Sequence, residues 1–432
     1  MTANVPAELA LAGPRPLRGR LRLPGDKGIS HRALLLAALA DGPSRITGLA
    51  DGDDVHRTCL ALEHLGVRVR ASDGAVVVYG AGGSLREPER ALDCGNSGTT
   101  MRMVTGLVAP QPFHTVLTGD SSLVTRPMAR VVEPLRRMGA RVDGRDGGAR
   151  APLAVRGGPL RGTRCELDVA SGQVKTALVL AGLQADGTTE VVEPNRSRDH
   201  TERLLGALGA PLEVVDDRTL RVRRATLPAF ELDVPGDPSS AAFFAVAASV
   251  TPGSAVVLEG VSINPSRIGF VEVLHRMGAA VEIRPTGDRL GEPVGDLEVT
   301  AAPLTATTFS PEEGWIDEVP ALAVAAAFAD GVTEIRDAGE LRVKESDRIG
   351  ALAQELSQLG VAVEERPDGL RIHGGQPRAA LLKSHGDHRV AMAMAVAAVA
   401  CEGESTVRGW QAVAASYPGF ADDLAALTGN NS

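Results

Sequence analysis

The sequence predicts an α/β protein of two domains, each built from three copies of one repeating unit. The chain has 432 residues, which is more than one ordinary hydrophobic core encloses. A polar start followed by an Ala- and Leu-rich run recurs six times along it. Amphipathic segments that end at a Gly and lead into a short alternating strand recur between these runs.

The six apolar runs predict buried helices. Each has Gly, Asp, Ser or Asn near its start, which are typical of helix N-caps, and then contains few polar residues. The six runs are LPGDKGISHRALLLAAL from Leu23, DCGNSGTTMRMVTGLVA from Asp93, VASGQVKTALVLAGL from Val169, VPGDPSSAAFFAVAASV from Val234, IDEVPALAVAAAFADG from Ile316 and HGDHRVAMAMAVAAVA from His385.

The second recurring element is an amphipathic helix with Gly just after its end. Short strands such as PSRITGL, TTEVVEP, SAVVLEG and VTEIRDA lie between the two helices. The unit is therefore buried helix, strand, amphipathic helix, strand, at about 70 residues for each copy. The last copy, FADDLAALTG, stops at its helix. The helix ends are marked by Leu65-Gly66, Met138-Gly139, Leu208-Gly209, Met277-Gly278 and Leu359-Gly360.

Two matching Pro-Gly sites divide the six units three and three. They are Leu23-Pro24-Gly25 and Asp233-Val234-Pro235-Gly236. We therefore expect an N-terminal three-repeat domain of residues 25–233 and a C-terminal three-repeat domain of residues 234–432. Residues 1–24 are expected to return to the second domain as a strand.

Composition limits the class of partner. The net charge of −9 and the aromatic content of 3% argue against nucleic acid or an anionic membrane. Cys59, Cys94, Cys165 and Cys401 form no CxxC pair and are expected to be free thiols in a reducing compartment. The chain start does not resemble a signal peptide, and the longest apolar run, residues 390–401, is shorter than the ~20 residues that cross a bilayer. We expect a cytoplasmic protein.

Cations mark the places where the chain turns. A helix N-terminus presents unpaired N–H groups and partial positive charge, so it attracts phosphate and carboxylate. A single Arg near a helix start is usually solvated, but nine cations at matching positions indicate a ligand with several negative charges, provided that both halves direct these ends into one cleft. Lys27, Arg32, Arg102, Lys175 and Arg389 follow starts of buried helices, and Arg126, Arg198, Lys344 and Arg348 lie at turns before the second helices.

Standard cofactor motifs do not account for these cations. The sequence has no G-x-x-x-x-G-K-[ST] loop, no G-x-G-x-x-G after a strand, no H-E-x-x-H and no G-x-S-x-G. His385 and His388 are therefore expected to be structural rather than metal ligands. The motifs therefore support neither a nucleotide site nor a metal site.

Two carboxylates stand among the cations. Asp317 lies at the front of the fifth buried helix, and Glu345 lies inside the cationic turn RVKESDR. Cations lower the pKa of a neighbouring carboxyl group and keep it ionised, which suits a base or a proton shuttle. The structural alternatives are an N-cap for Asp317 and a salt-bridge partner for Glu345; their positions in one repeat favour a functional role.

Eight segments in order resemble the 5-enolpyruvylshikimate-3-phosphate (EPSP) synthase family of enolpyruvyl transferases. The resemblance covers nearly the whole chain and implies two inside-out α/β barrel domains, each of three βαβαββ-type repeats, with the active site in the interdomain cleft. The segments are PGDKGISHRALLLAAL, GNSGTTMR, GDSSLVTRPM, SGQVKTALVLAGL, SRDHTERLL, GDPSSAAFF, LRVKESDRI and GDHRVAMAMAVA.

The resemblance also implies a reaction. The family transfers the enolpyruvyl group of phosphoenolpyruvate to the 5-hydroxyl of shikimate 3-phosphate and releases phosphate, on the shikimate route to chorismate and the aromatic amino acids. Both substrates are polyanions, as the cations predict. A monomer without cofactor is expected.

Residue roles follow by resemblance, position by position. Asp317 is expected to take the hydroxyl proton, and Glu345 or Lys27 is expected to protonate the methylene carbon of phosphoenolpyruvate. The expected shikimate 3-phosphate ligands are Lys27, Gly28, Arg32, Ser171, Ser197 and Arg198; Gln173 lies between the substrates, Lys27, Gly98, Arg126, Arg348 and Arg389 bind phosphoenolpyruvate, and Asp317 and Lys344 contact the attacking hydroxyl region.

The sequence departs from the family pattern at three positions. Gly28 stands where the family usually has Ser, and so lacks a hydroxyl for the shikimate phosphate. Gly172 stands where some members have a second Ser, and Ala415 where some have Lys. A lost hydrogen bond is worth about 0.5–1.5 kcal/mol, or up to about 3 kcal/mol with a charged partner.

Three alternatives stay open at this point. A sister enolpyruvyl transferase acting on another acceptor, such as a UDP-sugar, would share the repeats. That branch usually has Lys-Asn near the start and a reactive Cys in a mobile loop, whereas here Gly28 follows Lys27 and Cys94 precedes GNSGTT. An RNA 3′-phosphate cyclase is disfavoured by charge and composition, and a catalytically inactive anion-binding protein by the presence of Asp317 and Glu345.

Overall fold

The computed structural model describes residues 5–429 and divides them into two compact units. Unit N comprises residues 25–234 together with 288–292, and unit C comprises residues 5–24, 235–287 and 293–429. The divisions fall between Pro24 and Gly25 and between Val234 and Pro235, at the two Pro-Gly sites. The predicted domain ends at residues 1 and 432 lie outside the described residues.

Buried and amphipathic helices alternate along the chain. The helices are α1 Lys27–Leu39, α2 Asp53–His64, α3 Gly98–Val108, α4 Ala129–Arg137, α5 Arg145–Gly148, α6 Gly172–Gly182, α7 His200–Ala207, α8 Pro238–Val250, α9 Gly269–Arg276, α10 Val319–Phe328, α11 Arg348–Gln358, α12 His388–Ala400 and α13 Phe420–Leu427. Short 3₁₀ segments are Leu123–Thr125, Glu313–Glu318, Gly339–Val343 and Trp410–Ala415. No helix within residues 5–429 has the length and apolar character needed to cross a bilayer.

Short strands fill the segments between the helices. In chain order they are β1 Glu8–Gly13, β2 Arg18–Arg22, β3 Ala40–Thr47, β4 Arg68–Ser72, β5 Ala75–Ala81, β6 Leu92–Asp93, β7 His114–Thr118, β8 Arg141–Gly144, β9 Arg150–Arg156, β10 Arg164–Glu166, β11 Thr188–Val192, β12 Leu212–Val214, β13 Thr219–Arg223, β14 Leu227–Pro228, β15 Glu231–Asp233, β16 Ala255–Ser262, β17 Ala280–Arg289, β18 Glu292–Thr300, β19 Thr308–Phe309, β20 Val332–Ile335, β21 Ala362–Arg366, β22 Gly369–His373, β23 Leu381–Lys383 and β24 Gly403–Arg408.

The strands of residues 5–429 form six small mixed sheets, three in each unit. Unit N contains the orders β14-β3-β5-β4 (with β15 also on β3), β6-β7-β9-β8 and β10-β11-β13-β12. Unit C contains β17-β18-β16-β2, β19-β20-β22-β21 and β1-β24-β23. Each sheet combines parallel and antiparallel pairing, such as β6 parallel with β7 and β7 antiparallel with β9, and the sheet of β3 has two parallel pairs. The common order supports six copies of one unit.

The segment before Gly25 forms two strands, where the sequence predicts one. β1 pairs antiparallel with β24 from Glu8 opposite Arg408, and β2 pairs parallel with β16 from Arg18 opposite Ala255. The end of unit N behaves similarly, because β14 and β15 pair with β3. Strands from one end of each unit therefore complete the sheet at the other end.

The six apolar runs are buried helices, as predicted. Every residue of α8 from Pro238 to Ser249 and of α12 from His388 to Val399 is buried. In unit N α3 packs against α6 and α1, and in unit C α8, α10 and α12 pack on one another. The Gly residues after the amphipathic helices also match the prediction: Gly66, Gly139, Gly209, Gly278 and Gly360 all have φ between 69° and 101°, which Gly adopts readily.

Side chains cap five of the six buried helices. Asp26 accepts a hydrogen bond from the Ile29 N–H at 2.8 Å, and Asp387 accepts one from the Arg389 N–H at 2.8 Å. Ser97, Ser171 and Asp237 cap α3, α6 and α8 in the same manner. α10 differs, because its N-cap is Glu318 and makes no side-chain cap bond. Asp317, for which a cap was the structural alternative, is therefore available for other contacts.

Helices α3 and α6 approach closely at Gly106. A Cβ atom on Gly106 would lie 2.1 Å from the carbonyl oxygen of Ala177. The obstacle is helix backbone and cannot move aside like a side chain, so a methyl group at this position would force the two helices apart.

We expect Gly106→Ala to lower the free energy of unfolding by about 1–3 kcal/mol, because overpacking strains a close-packed core. The measurement is the thermal unfolding midpoint, followed by circular dichroism. Gly206→Ala is the matched control, since Gly206 lies in α7 with nothing within 4 Å of the added atom. Ala favours helix at exposed positions by up to ~1 kcal/mol, so the control should be neutral or stabilising. Equal midpoints for both variants would show that the close approach of the two helices at Gly106 does not limit the side chain there.

Candidate active site

Lys27 and its partner begin the polar region of unit N. Lys27 is the first residue of α1, and its Nζ lies 2.6 Å from Oδ2 of Asp54 in α2. The two side chains are 17% and 8% exposed, so the pair stands at the edge of the core. Thr100 donates a hydrogen bond to the Asp54 carbonyl oxygen at 3.2 Å and so ties α3 to the same region. The helix start thus presents an oriented ammonium group.

Arg32 lies between two glycines. Its Nη1 donates to the Gly28 carbonyl oxygen at 2.9 Å and its Nη2 to the Gly172 carbonyl oxygen at 2.9 Å. Its Nε donates to Thr201 Oγ1 at 2.9 Å. A Cβ on Gly28 would lie 3.3 Å from Nη1, and a Cβ on Gly172 would lie 3.3 Å from Nη2. The two departures from the family pattern therefore face the same guanidinium group.

Gln173 and two arginines form a second set of contacts in unit N. Arg102 donates to Gln173 Oε1 at 2.6 Å, and Gln173 donates through Nε2 to Thr99 at 2.9 Å. Both Arg102 and Arg126 have Nη1 3.4 Å from the point where a Cβ on Gly98 would lie. Two guanidinium groups therefore flank the start of α3 at Gly98, which has no side chain.

Ser171, Ser197 and Arg198 lie near the start of α6. Ser171 is the N-cap of α6, and Ser197 is buried in the loop before α7. The Arg198 backbone oxygen and Cβ lie 3.5 and 3.3 Å from the position of a Cβ on Gly172. Together with the contacts of Arg32, this places the predicted residues of unit N around the starts of α1, α3 and α6.

In unit C, Asp317 is held by three cations. Its Oδ1 accepts a hydrogen bond from Arg348 Nη1 at 2.9 Å and lies 3.5 Å from Lys344 Nζ. Its Oδ2 lies 3.8 Å from Arg389 Nη2, and Arg389 also donates to the Asp317 carbonyl oxygen at 3.4 Å. Asp317 is 14% exposed, so one carboxylate within this cationic group remains open to a ligand.

Arg348 is the centre of the unit C cluster. It is 1% exposed and pairs with Glu345 at 2.7 Å and Asp387 at 2.7 Å in addition to Asp317. Burial opposes ionisation, but Asp387, Glu345 and Asp317 together raise the pKa of Arg348 above its ordinary value. Burial likewise disfavours the Asp387 carboxylate, yet Arg348 holds the pKa of Asp387 below its usual range.

The structure brings the predicted residues together in two sets. One set lies in unit N and includes Lys27, Gly28, Arg32, Gly98, Arg126, Ser171, Gln173, Ser197 and Arg198. The other lies in unit C and consists of Asp317, Lys344, Glu345, Arg348 and Arg389. Lys175, a cation of the sequence pattern, pairs instead with Glu193 and Glu202.

Sequence reasoning missed several residues that hold these sets in place. Asp54, Asp387 and Thr201 pair with Lys27, Arg348 and Arg32. Asn96 accepts a short hydrogen bond from Arg126. The sequence could have pointed to Asp387, because it precedes the buried run of α12 in GDHR, where a residue typical of N-caps is expected. Asp54 carried no such signal, since an acidic residue in the first turn of an amphipathic helix is ordinary.

Cations at helix starts and turns, three of them around one carboxylate, are typical of a site for small polyanionic ligands. Within residues 5–429, no group of three or more His, Cys, Asp or Glu side chains is arranged to hold a metal ion. The chain shares its fold with the enolpyruvyl transferase NikO from Streptomyces tendae, with a TM-score of 0.79 at 20% identity over 97% of this chain and 96% of that one.

The chain belongs to the EPSP synthase family. The family profile, described as EPSP synthase (3-phosphoshikimate 1-carboxyvinyltransferase), matches residues 11–424. A 3-phosphoshikimate 1-carboxyvinyltransferase of Thermus thermophilus is 52% identical over 95% of this chain and 97% of its own. The enzyme of Parasynechococcus marenigrum is 49% identical over 98% and 99%. The structure of EPSP synthase from Acinetobacter baumannii has a TM-score of 0.86 at 39% identity, over 97% of each chain.

The family fixes the reaction. The chain is a transferase of the shikimate pathway of aromatic amino-acid biosynthesis, and it transfers the enolpyruvyl group of phosphoenolpyruvate to shikimate 3-phosphate. The family expectation and the mixed α/β fold drawn from the sequence are confirmed. A UDP-sugar acceptor has less support.

We expect Asp387→Asn to destabilise the protein, because it leaves Arg348 buried with one carboxylate fewer. Removing one partner of a buried pair costs about 3–5 kcal/mol, and the two remaining carboxylates place this case at the lower end. Since the pKa of Asp387 is lowered by folding, its contribution is present above the unfolded pKa and lost below it. The loss in thermal midpoint should thus be full at pH 7 and shrink below about pH 4.

Asp347→Asn is the matched control. Asp347 caps α11 and pairs with Arg342 at 2.6 Å, but the pair is 47% and 26% exposed. Exposed pairs contribute about 0–1 kcal/mol, so this variant should shift the midpoint little at any pH. A midpoint for Asp387→Asn equal to that of Asp347→Asn would show that the buried cluster contributes nothing special.

Proposed function

We propose that the two sets of residues act on the same pair of substrates, in a cleft between two inside-out α/β barrel domains formed by residues 25–233 and 234–432 with 1–24. The observation that carries this proposal is the position of Asp317, one carboxylate in contact with Lys344, Arg348 and Arg389. The cations suit the charged groups of phosphoenolpyruvate, and the carboxylate suits the proton of the attacking hydroxyl.

The unit N set binds shikimate 3-phosphate in this proposal. Ser171, Ser197 and Arg198 bind its phosphate, while Arg32 and Lys27 lie against its charged groups. Gly28 has no side chain and offers only its backbone at this position. Gln173 lies between the two substrates. The proposal is supported by the contacts that place Arg32 between Gly28 and Gly172 and by the N-terminus of α6, which favours a phosphate.

Phosphoenolpyruvate is bound by the remaining cations. Arg126, at Gly98, and Arg348 and Arg389 bind its carboxylate and phosphate, with Lys27 reaching it as well. Planar guanidinium groups orient both anionic groups and stabilise charge on the departing phosphate. Closure around the substrates excludes water from the reaction.

The proton transfers follow from the residue types. Asp317 removes the proton of the 5-hydroxyl, whose oxygen forms a bond to C2 of phosphoenolpyruvate. The methylene carbon C3 takes a proton from Glu345 or Lys27, which gives a tetrahedral adduct. The bond between C2 and the phosphate oxygen then breaks, C3 returns its proton, and the enolpyruvyl double bond forms again as phosphate leaves.

The remaining properties are proposals from composition. A net charge of −9 and 3% aromatic residues favour small-molecule substrates over nucleic acid. Four cysteines that are free thiols suit a reducing compartment, and we propose a cytoplasmic location. The proposal of a monomer rests on the family resemblance and not on composition.

We expect Asp317→Ala to lower kcat about 10²–10⁴-fold, the usual contribution of a general base. The measurement is phosphate release from shikimate 3-phosphate and phosphoenolpyruvate. Glu312→Ala is the control, since Glu312 is exposed five residues earlier and should leave turnover unchanged. Turnover of Asp317→Ala near the wild-type rate would refute its role as the base. Release of phosphate only with another acceptor, such as a UDP-sugar, would refute the choice of substrate.

We expect Gly28→Ser to raise KM for shikimate 3-phosphate about threefold to tenfold, the equivalent of one hydrogen bond. The new Cβ lies 3.1 Å from Asp26 Oδ1 and 3.3 Å from Arg32 Nη1. Neither group moves freely, because Asp26 caps α1 and Arg32 makes three hydrogen bonds. The kinetic control is Gly158→Ser, which adds its Cβ in open space. A lower KM for Gly28→Ser would show instead that the hydroxyl binds the substrate.

A further inference from the structure

Lys175 forms a buried ion cluster beneath the start of α6. Its Nζ lies 2.8 Å from Glu193 Oε2 and 2.7 Å from Glu202 Oε1. The side chains are 3%, 2% and 12% exposed in that order. Glu193 follows β11 and Glu202 lies in α7, so the cluster joins three elements of unit N at one point.

Glu193 also lies beside the two serines of the site. Its Oε1 accepts a long hydrogen bond, 3.4 Å, from the Ser171 N–H. Glu193 and Ser197 line the same cavity of about 390 Å³, together with Lys175 and Glu202. Ser171 and Ser197 come from different segments, the start of α6 and the loop before α7. One buried carboxylate thus lies next to both serines proposed for the phosphate of shikimate 3-phosphate: it bonds to the backbone of Ser171 and shares a cavity with Ser197.

A carboxylate in this position opposes phosphate binding unless a cation balances it. Burial raises the pKa of Glu193, and Lys175 opposes that rise. Burial would lower the pKa of Lys175, but Glu202 and Glu193 raise it above its ordinary value, so the ammonium stays charged. Glu202 is less dependent on Lys175, because its side chain is 12% exposed whereas that of Glu193 is 2% exposed. Glu193 is therefore the carboxylate that needs the cation.

We propose that Lys175 is a positioning residue for the acceptor substrate: it neutralises Glu193 and holds it so that Ser171 and Ser197 face the phosphate of shikimate 3-phosphate. This inference rests on the proposed function of the two serines. In this role Lys175 does not contact the substrate. This explains why Lys175 pairs with two carboxylates, whereas Arg32 and Arg102 lie among the residues proposed to bind substrate.

The test is steady-state kinetics with each substrate varied while the other is saturating. Lys175→Met keeps the length of the side chain and removes its charge. We expect KM for shikimate 3-phosphate to rise about tenfold to a hundredfold, as for loss of a hydrogen bond to a charged group, with KM for phosphoenolpyruvate and kcat changed less than about threefold. Lys175→Met/Glu193→Gln removes both charges and should return KM for shikimate 3-phosphate to within about threefold of wild type.

Further variants separate this proposal from the site assignment. Ser171→Ala and Ser197→Ala should each raise KM for shikimate 3-phosphate; if neither does, the assignment of the phosphate site fails. If they do and Lys175→Met does not, the role of Lys175 fails. Arg164→Met is the control, because it breaks an exposed contact with Glu190 in the same sheet.

Circular dichroism at the assay temperature establishes which variants are folded. If Lys175→Met does not fold, the double variant decides alone: near wild-type KM supports the proposal, and a KM raised more than tenfold overturns it. Equal effects of Lys175→Met on both substrates, or on kcat alone, overturn it as well.

Discussion

Burial of six apolar helices on nearly all sides is the constraint on which the rest of the structure depends. Within such a helix the backbone N–H and C=O groups form hydrogen bonds with one another, but the first-turn N–H groups need partners from outside the helix. Caps such as Asp26 and Asp387 supply some of them. The remaining partial positive charge makes each helix start a favourable place for an anion. Cations at the same starts strengthen that preference, which is why the polar chemistry of the chain lies there.

The central arginines of the two sets have different hydrogen-bond partners. In unit N, Arg32 bonds to two carbonyl oxygens and a hydroxyl, which orient the guanidinium. In unit C, Arg348 bonds to three carboxylates, which hold its charge inside a buried cluster. Neutral oxygens leave the field of a cation largely intact, whereas carboxylates cancel it at short range. The first arrangement suits attraction of a polyanion, and the second suits a carboxylate kept ionised for proton transfer.

Helix positions and their ends were predictable because they depend on local pattern. Six buried helices and the Gly residues after the amphipathic ones follow from hydrophobic period and backbone freedom. Ion pairs were not predictable in the same way. Lys175 lies near the start of a buried helix, as Arg102 does, yet it meets Glu193 and Glu202, which lie 18 and 27 residues further along the chain. Partner choice of this kind depends on tertiary packing, which no periodicity encodes.

Gly28 and Gly172 are a second case in which tertiary packing decides what a residue contacts. Read along the sequence, they are two separate departures from a family pattern, each lacking a side chain. In the structure both give Arg32 a carbonyl oxygen, and a Cβ added to either would lie 3.3 Å from one of its terminal nitrogens. A side chain at either position would press on a guanidinium that the other position still holds. The two glycines therefore act together. They supply no hydroxyl group to the site, but their carbonyl oxygens hold the Arg32 guanidinium in place.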